Sequence, residues 1–260
     1  MAPDPSDAST DPTPPDASGL PFLLLTSRVD DGLAAQEREA FGRLTGLPDR
    51  RVVHVRMEQG PFTPIDASAY AGVVLGGSPY TVTDPEAQKS PEQRRVEAEL
   101  TVFLRGLVAD GVPYLGLCYG IGAMGLALGG VVDRTYGEPV GTTTVRLADA
   151  AREDPLFGSL PEVFTAFVGH KEACTELPAG AVLLATSDPC PVQAYRVGER
   201  AWVTQFHPEL ELVTLVERIH AYAHHGYFRP EEKDDLIASV QAADVEAAHD
   251  VLRAFVRTFG

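Results

Sequence analysis

The chain has 260 residues, 44% of them hydrophobic and 22% charged, and 37 acidic against 21 basic side chains give a formal net charge of −16. This is enough for one large domain with a full core, while the acidity argues against nucleic acid or an anionic membrane as a partner, since either needs a basic face. Three cysteines, Cys118, Cys174 and Cys190, cannot all pair, so a reducing cytoplasm is the expected home, and no run approaches the ~18 apolar residues of a membrane span.

Residues 1–19 hold five prolines, four aspartates and almost no large apolar side chain. Such a stretch cannot bury enough surface to offset ordering and is expected to be a disordered tail, with one domain over 20–260. It lacks the basic and apolar regions of a signal peptide. Residues 21–26 are continuously apolar, as in a parallel strand covered on both faces. A helix over 32–44 and a strand over 51–56 follow, and His54 on that strand is expected to be a satisfied histidine. Residues 71–77 form the third strand and end in Gly76-Gly77, which taken alone is an ordinary tight turn.

Ser90-Pro91-Glu92-Gln93 predicts a capped helix start with a capping-box glutamine. Val96, Leu100, Phe103, Leu104, Leu107 and Val108 then form one apolar stripe. The next stretch changes character abruptly. Residues 113–117 read as a buried strand and 121–128 as a small-residue helix, so the junction falls on Cys118 to Gly120. Gly116 and Gly120 flank Cys118 two residues away on each side, the G-x-C-x-G spacing of a nucleophile elbow. Glycines permit the sharp turn, and a helix N-terminus favours negative charge at the sulfur. By itself, an inert buried cysteine beside glycines accounts for the stretch equally well.

A β-branched run at 141–147 suits an outer or antiparallel strand. Three strands are predicted over 181–186, 192–197 and 201–206. The last delivers His207, and Glu209 follows two residues later. A thiol nucleophile needs a base in reach, and the base needs an orienting partner. Cys118, His207 and Glu209 are therefore the candidate nucleophile, base and orienting carboxylate. Cys174 and Cys190 lack C-x-x-C spacing and are expected to be ordinary thiols, with no metal site. His224-His225 point about 100° apart on a helix and read as a solvated pair. The last helix places Val245, Ala248, Leu252, Phe255, Val256 and Phe259 on one stripe.

With L-G-G-S-P at 75–79, G-L-C-Y-G at 116–120 and Q-F-H-P-E at 205–209, the chain resembles the class I glutamine amidotransferase family of triad type. Within it the resemblance is to stand-alone domains similar to the glutaminase part of GMP synthase, over about residues 21–225. It implies an α/β fold with a doubly wound, mainly parallel sheet flanked by helices, flavodoxin-like, with the site at the C-terminal ends of the strands. Helices over about 226–260 would extend beyond that fold as a lid, as a partner contact, or packed on the chain's own sheet. The resemblance further implies an oxyanion hole from the backbone N–H groups of Gly77 and Tyr119. Gly169 and His170 would hold the α-amino and α-carboxylate groups of glutamine, although a strand-end histidine serves as well for His170. No cofactor is implied.

One position departs from the pattern. Many members carry a glutamine four residues after the nucleophile, in contact with substrate, and here Gly122 stands there. The loss of that side chain bears on which substrate is bound. Three readings follow: a glutaminase passing ammonia to a separate synthetase subunit, since G-x-x-x-x-G-K-[ST] is absent; a stand-alone hydrolase of a γ-glutamyl amide or conjugate; and a non-catalytic binding or regulatory module of the same fold.

Overall fold

The computed structural model describes residues 19–221 and 229–260. The tail expected over residues 1–19, Gly19 apart, and the His224-His225 pair lie outside the described residues.

Strand β1 (Phe22–Thr26) is buried at all five positions. It runs parallel to β2 (Val52–Arg56) on one side and to β3 (Gly72–Leu75) on the other. Because both faces are covered, its sequence shows no polar alternation. The parallel part continues through β4 (Tyr114–Leu117) to β11 (Ala201–Thr204). Beyond β11 the sheet runs antiparallel through β10 (Ala194–Val197), β9 (Val182–Thr186), β6 (Glu138–Leu147) and β7 (Val163–His170). The order is β2-β1-β3-β4-β11-β10-β9-β6-β7, and β5 (Val131–Asp133) pairs separately with β8 (Ala173–Glu176).

Successive side chains of the parallel strands alternate between two helical layers, as the pleat requires. Leu23, Leu25, Val73 and Leu75 meet α2 (Pro91–Ala109) and α3 (Tyr119–Ala127). Phe22, Leu24, Val74 and Leu115 meet α1 (Asp31–Thr45) and α6 (Glu246–Phe259). Helix α6 is thus a core element. Its Phe255 is fully buried with ring centroids 5.9 Å from Phe22 and 6.5 Å from Trp202, and a Cβ on Gly72 would meet its ring at 2.9 Å. Of the expectations for the C-terminal helices, α6 takes packing on the sheet. Helices α4 (Leu212–Ala221) and α5 (Lys233–Gln241) share a smaller cluster with Phe167 and Leu210, over the antiparallel end.

Helix α2 begins as expected, with Ser90 Oγ accepting from Gln93 N at 3.1 Å and Pro91 in the first turn. The reciprocal half of the capping box is replaced: Gln93 Nε2 donates instead to Thr81 O at 3.1 Å and to Glu97 at 2.9 Å. Gln93 is buried, so its amide takes partners inside the protein, joining Asp84 N at the Thr81 carbonyl. No described helix is long and apolar enough to cross a membrane.

Candidate functional site

Cys118 stands between β4 and α3 with φ 50° and ψ −87°, the only positive φ outside glycine among the described residues. Its N–H donates to Thr204 O at 2.7 Å, which extends the β4–β11 ladder by one rung, and its carbonyl accepts from Ile121 N at 3.1 Å. The flanking glycines have a packing reason as well. A Cβ on Gly116 would stand 2.5 Å from Tyr114 Oη, and one on Gly120 would stand 3.2 Å from the same hydroxyl. The turn therefore closes over the buried Tyr114 ring only where side chains are absent. The Cys118 sulfur is half-buried, whereas Cys174 and Cys190 are fully buried. Burial pushes those two thiols up to about 11 and about 12.

His207 and Glu209 follow β11 on a loop held from two sides. His207 N donates to Phe167 O at 2.9 Å, and His249 Nδ1 on α6 donates to Pro208 O at 2.8 Å. His207 Nδ1 lies 2.7 Å from Glu209 Oε1, and a carboxylate only accepts, so Nδ1 carries the hydrogen and Nε2 is left for another partner. Burial alone would lower the imidazole, but the charges of Glu209 and Cys118 outweigh it and hold His207 above its ordinary range. Burial would likewise raise Glu209. The His207 charge, reinforced by Arg218, holds it below the usual carboxylate range.

Behind Glu209 lies a buried charge network that reaches back to the first helix. Arg218 on α4 is 3.9 Å from Glu209 and 3.5 Å from Glu37 on α1. Glu37 in turn accepts from Arg28 Nε at 3.1 Å. Its carboxylate fits because a Cβ on Gly76 would stand 2.7 Å from it. Arg218 comes from a distant part of the chain and joins Arg28 and Glu37, nine residues apart, and sequence reading missed all three. One signal was present: Ala34, Glu37, Ala40 and Phe41 share the buried stripe of α1, and an acid on an apolar stripe asks for a partner.

Two cavities meet at Cys118, which with Ser78 and Gly169 forms the wall common to both. The polar one is lined by Tyr119, His170, Lys171, Glu172 and Gln205. Gly169 O and Gln205 Nε2 each lie 4.0 Å from the Cys118 sulfur. The other, of about 60 Å³, is lined by Val140, Val168, Leu210, Leu215 and Ile219, with His207, Arg28 and Arg218. Gly77 sits against the imidazole: a Cβ there would be 3.2 Å from His207 Cε1 and 3.3 Å from Arg28. Ser78 Oγ holds this loop, accepting from Ser27 Oγ at 2.6 Å and from Tyr80 N at 3.0 Å. Tyr119 opens α3, so its N–H belongs to the first turn, whose N–H groups have no intrahelical acceptor.

Gly122 faces a residue that sequence reading passed over. Glu172 is buried, accepts from Val82 N at 2.9 Å and Thr83 N at 2.8 Å, and would meet a Cβ at position 122 at 3.3 Å. Burial pushes its carboxyl up. The signal was an acid two residues beyond His170.

His170 itself is buried with both ring nitrogens engaged, Nδ1 at 2.8 Å from Glu172 O and Nε2 at 2.9 Å from Glu138 Oε2. Glu138 also accepts from Gln193 Nε2 at 2.6 Å. The ligand atoms of Glu138, His170 and Cys190 lie within 4.8 Å of one another, the one such group among the described residues that could hold a metal. Its carboxylate already has two partners and its thiol is fully buried. It is a second Cys, His, Glu set, and it differs from the first in that no cavity reaches its sulfur among those described.

In sequence and in fold the chain is similar to known proteins. The family model described as Glutamine amidotransferase class-I matches residues 49–220. The chain is 33% identical over 165 residues to the GMP synthase [glutamine-hydrolyzing] of Thermobifida fusca, covering 62% of this chain and 28% of that protein. It is 34% identical over 148 residues to the enzyme of the same name from Porphyromonas gingivalis, covering 56% of this chain and 26% of that one. The chain thus spans little more than a quarter of the length of these curated relatives. A glutamine amidotransferase of Thermotoga maritima superposes with a TM-score of 0.72 at 21% identity, covering 92% of this chain and 97% of that one. One from Methylobacillus flagellatus gives 0.67 at 20%, covering 92% and 95%. At such identities the likeness establishes the fold, a mainly parallel central sheet flanked by helices.

Proposed function

The chain belongs to the class-I glutamine amidotransferase family, and from that premise we propose that it hydrolyses the side-chain amide of glutamine through Cys118 and passes the ammonia to a separate acceptor enzyme. The observation that carries this reading is the 2.7 Å bond between His207 Nδ1 and Glu209, which leaves Nε2 for the thiol of a half-buried cysteine on the same cavity. His207 holds the Cys118 proton as an imidazolium, and the thiolate sulfur bonds to the amide carbon. The N–H groups of Gly77 and Tyr119 receive the oxyanion. The C–N bond then breaks as the imidazolium gives its proton to the leaving nitrogen, and Glu209 holds the ring in that orientation throughout. Water, deprotonated by His207, attacks the γ-glutamyl thioester, and the C–S bond breaks to give glutamate and the free thiol.

In the polar cavity the Glu172 carboxylate suits an α-ammonium, and the backbone at Gly169 and His170 suits the α-carboxylate. A second reading has a specific observation behind it. Glu172 takes the space beside Gly122, where the family resemblance implies a glutamine side chain, which favours a γ-glutamyl amide other than glutamine. A non-catalytic module is the weaker alternative, because binding alone has no use for the paired His207 and Glu209.

The test is to incubate the chain with an electrophilic glutamine analogue that alkylates thiols, with and without excess glutamine, and to locate the adduct by peptide mass spectrometry. An adduct at Cys118 that glutamine prevents supports the proposal. A protected, folded chain that gains no adduct and releases no ammonia from glutamine refutes it.

A further inference from the structure

Resting on Cys118 and His207 as nucleophile and base and taking up the second of those readings, we infer that the apolar recess beside the sulfur is a leaving-group pocket and that the preferred substrate is a γ-glutamyl amide of a short aliphatic amine. Cys118 lies on the wall shared by the two cavities, so an acyl carbon bonded to its sulfur has the polar cavity on one side and the recess on the other. His207 lines the recess and not the polar cavity. A general acid must reach the nitrogen it protonates, so that nitrogen points into the recess and the glutamyl group into the polar cavity.

The size of the recess argues against ammonia as its occupant. One water-sized molecule needs roughly 10–15 Å³ of such space, whereas the recess measures about 60 Å³. It has room for a chain of several atoms beyond the nitrogen. Its lining fits that chain: Val140 and Val168 on the antiparallel strands, Leu210 on the loop, and Leu215 and Ile219 on α4 present hydrocarbon to it. Arg28 and Arg218 on its wall are engaged with Glu37 and Glu209. In the balanced step the Cys118 S–C bond forms, the C–N bond breaks, and the imidazolium proton leaves on the free amine. Water then yields glutamate and restores the thiol.

The experiment compares kcat/KM of the full chain for glutamine, γ-glutamyl ethylamide and γ-glutamyl n-butylamide. Burial of each methylene corresponds to about a fourfold gain, so the butylamide is expected to exceed glutamine at least tenfold. Ile219→Phe and, separately, Val140→Phe fill the recess and are expected to lower the butylamide-to-glutamine ratio at least tenfold, with thermal melting used to confirm that each variant folds. Glutamine cleaved as well as or better than both alkylamides overturns the inference and leaves the proposed function standing; an apolar passage for ammonia then explains the recess. An unchanged ratio in both folded variants also overturns it. Cleavage of none of the three amides overturns it as well, and absence of an adduct at Cys118 in the same preparation removes the underlying reading too.

Discussion

Glu172 and Gly122 share one space: the Glu172 carboxylate oxygen stands 3.3 Å from where a Cβ at position 122 would be. Placing at position 122 the glutamine that the family resemblance implies should therefore overfill the site. Gly122→Gln is expected to destabilise the fold by about 1–3 kcal/mol in chemical denaturation. Combining it with Glu172→Ala should recover part of that loss, with a coupling of at least about 0.5 kcal/mol between the two positions. Simple additivity would mean that the two residues do not compete.

The backbone at Cys118 stores strain, since φ 50° with ψ −87° lies outside the regions open to side chains. Such a residue costs about 1–3 kcal/mol. Cys118→Gly should accordingly raise stability by about 1 kcal/mol, after the extra freedom glycine gives the unfolded chain, while removing all turnover. A Cys118→Gly chain that is less stable than the parent would show that the turn is not strained.

The His207 and Glu209 pair predicts a pH window with a defined sign. His207 is raised from 6.5 toward about 10, so its contribution is complete below pH 6.5 and is lost as pH rises toward 10. Glu209 is depressed from 4.5 toward about 2, so its contribution is complete above pH 4.5 and is lost as pH falls toward 2. The stability difference between the parent and His207→Gln should be largest between pH 4.5 and 6.5 and shrink on either side. Urea denaturation across that range measures it.

Arg218 compensates two buried carboxylates at once, at 3.9 Å and 3.5 Å. Arg218→Met leaves Glu209 and Glu37 with less opposite charge and should cost about 3–5 kcal/mol. Adding Glu37→Gln to it should restore part of the loss, because one of the stranded charges is then removed. Equal stability of parent and Arg218→Met would assign the network no structural role.

Helix α6 carries a separate prediction, because Phe255 fills the space over Gly72 and against Trp202. Phe255→Ala should cost about 3–5 kcal/mol in a cooperative unfolding transition. A chain that tolerates the change would place α6 outside the core.

Local order in this chain is written locally. The unbroken apolar run at 21–26 became β1 because a central parallel strand is buried on both faces, and Ser90-Pro91 became the start of α2 because a cap and a proline need only their neighbours. The elbow was legible for the same reason: strand, cysteine and helix are contiguous, and glycines two residues on each side leave few other turns. His207 and Glu209 stood out because only Pro208 separates them.

What escaped sequence reading depends on separations the chain does not display. Arg28 and Glu37 are nine residues apart, but Arg218 joins them from the far end of the chain, only because α4 packs where β1 leads into α1. The burial of Glu172 beside Gly122 needs the segment after β7 folded against α3. Whether the last helix was lid, partner surface or core was settled by which sheet face remained uncovered, and α6 covers it. The division of space around Cys118 into a polar cavity and an apolar recess likewise arises where seven separate segments converge. Periodicity and capping act within a few residues, so the sequence alone determined the elements and the elbow. Long-range packing in three dimensions decided what surrounds the sulfur.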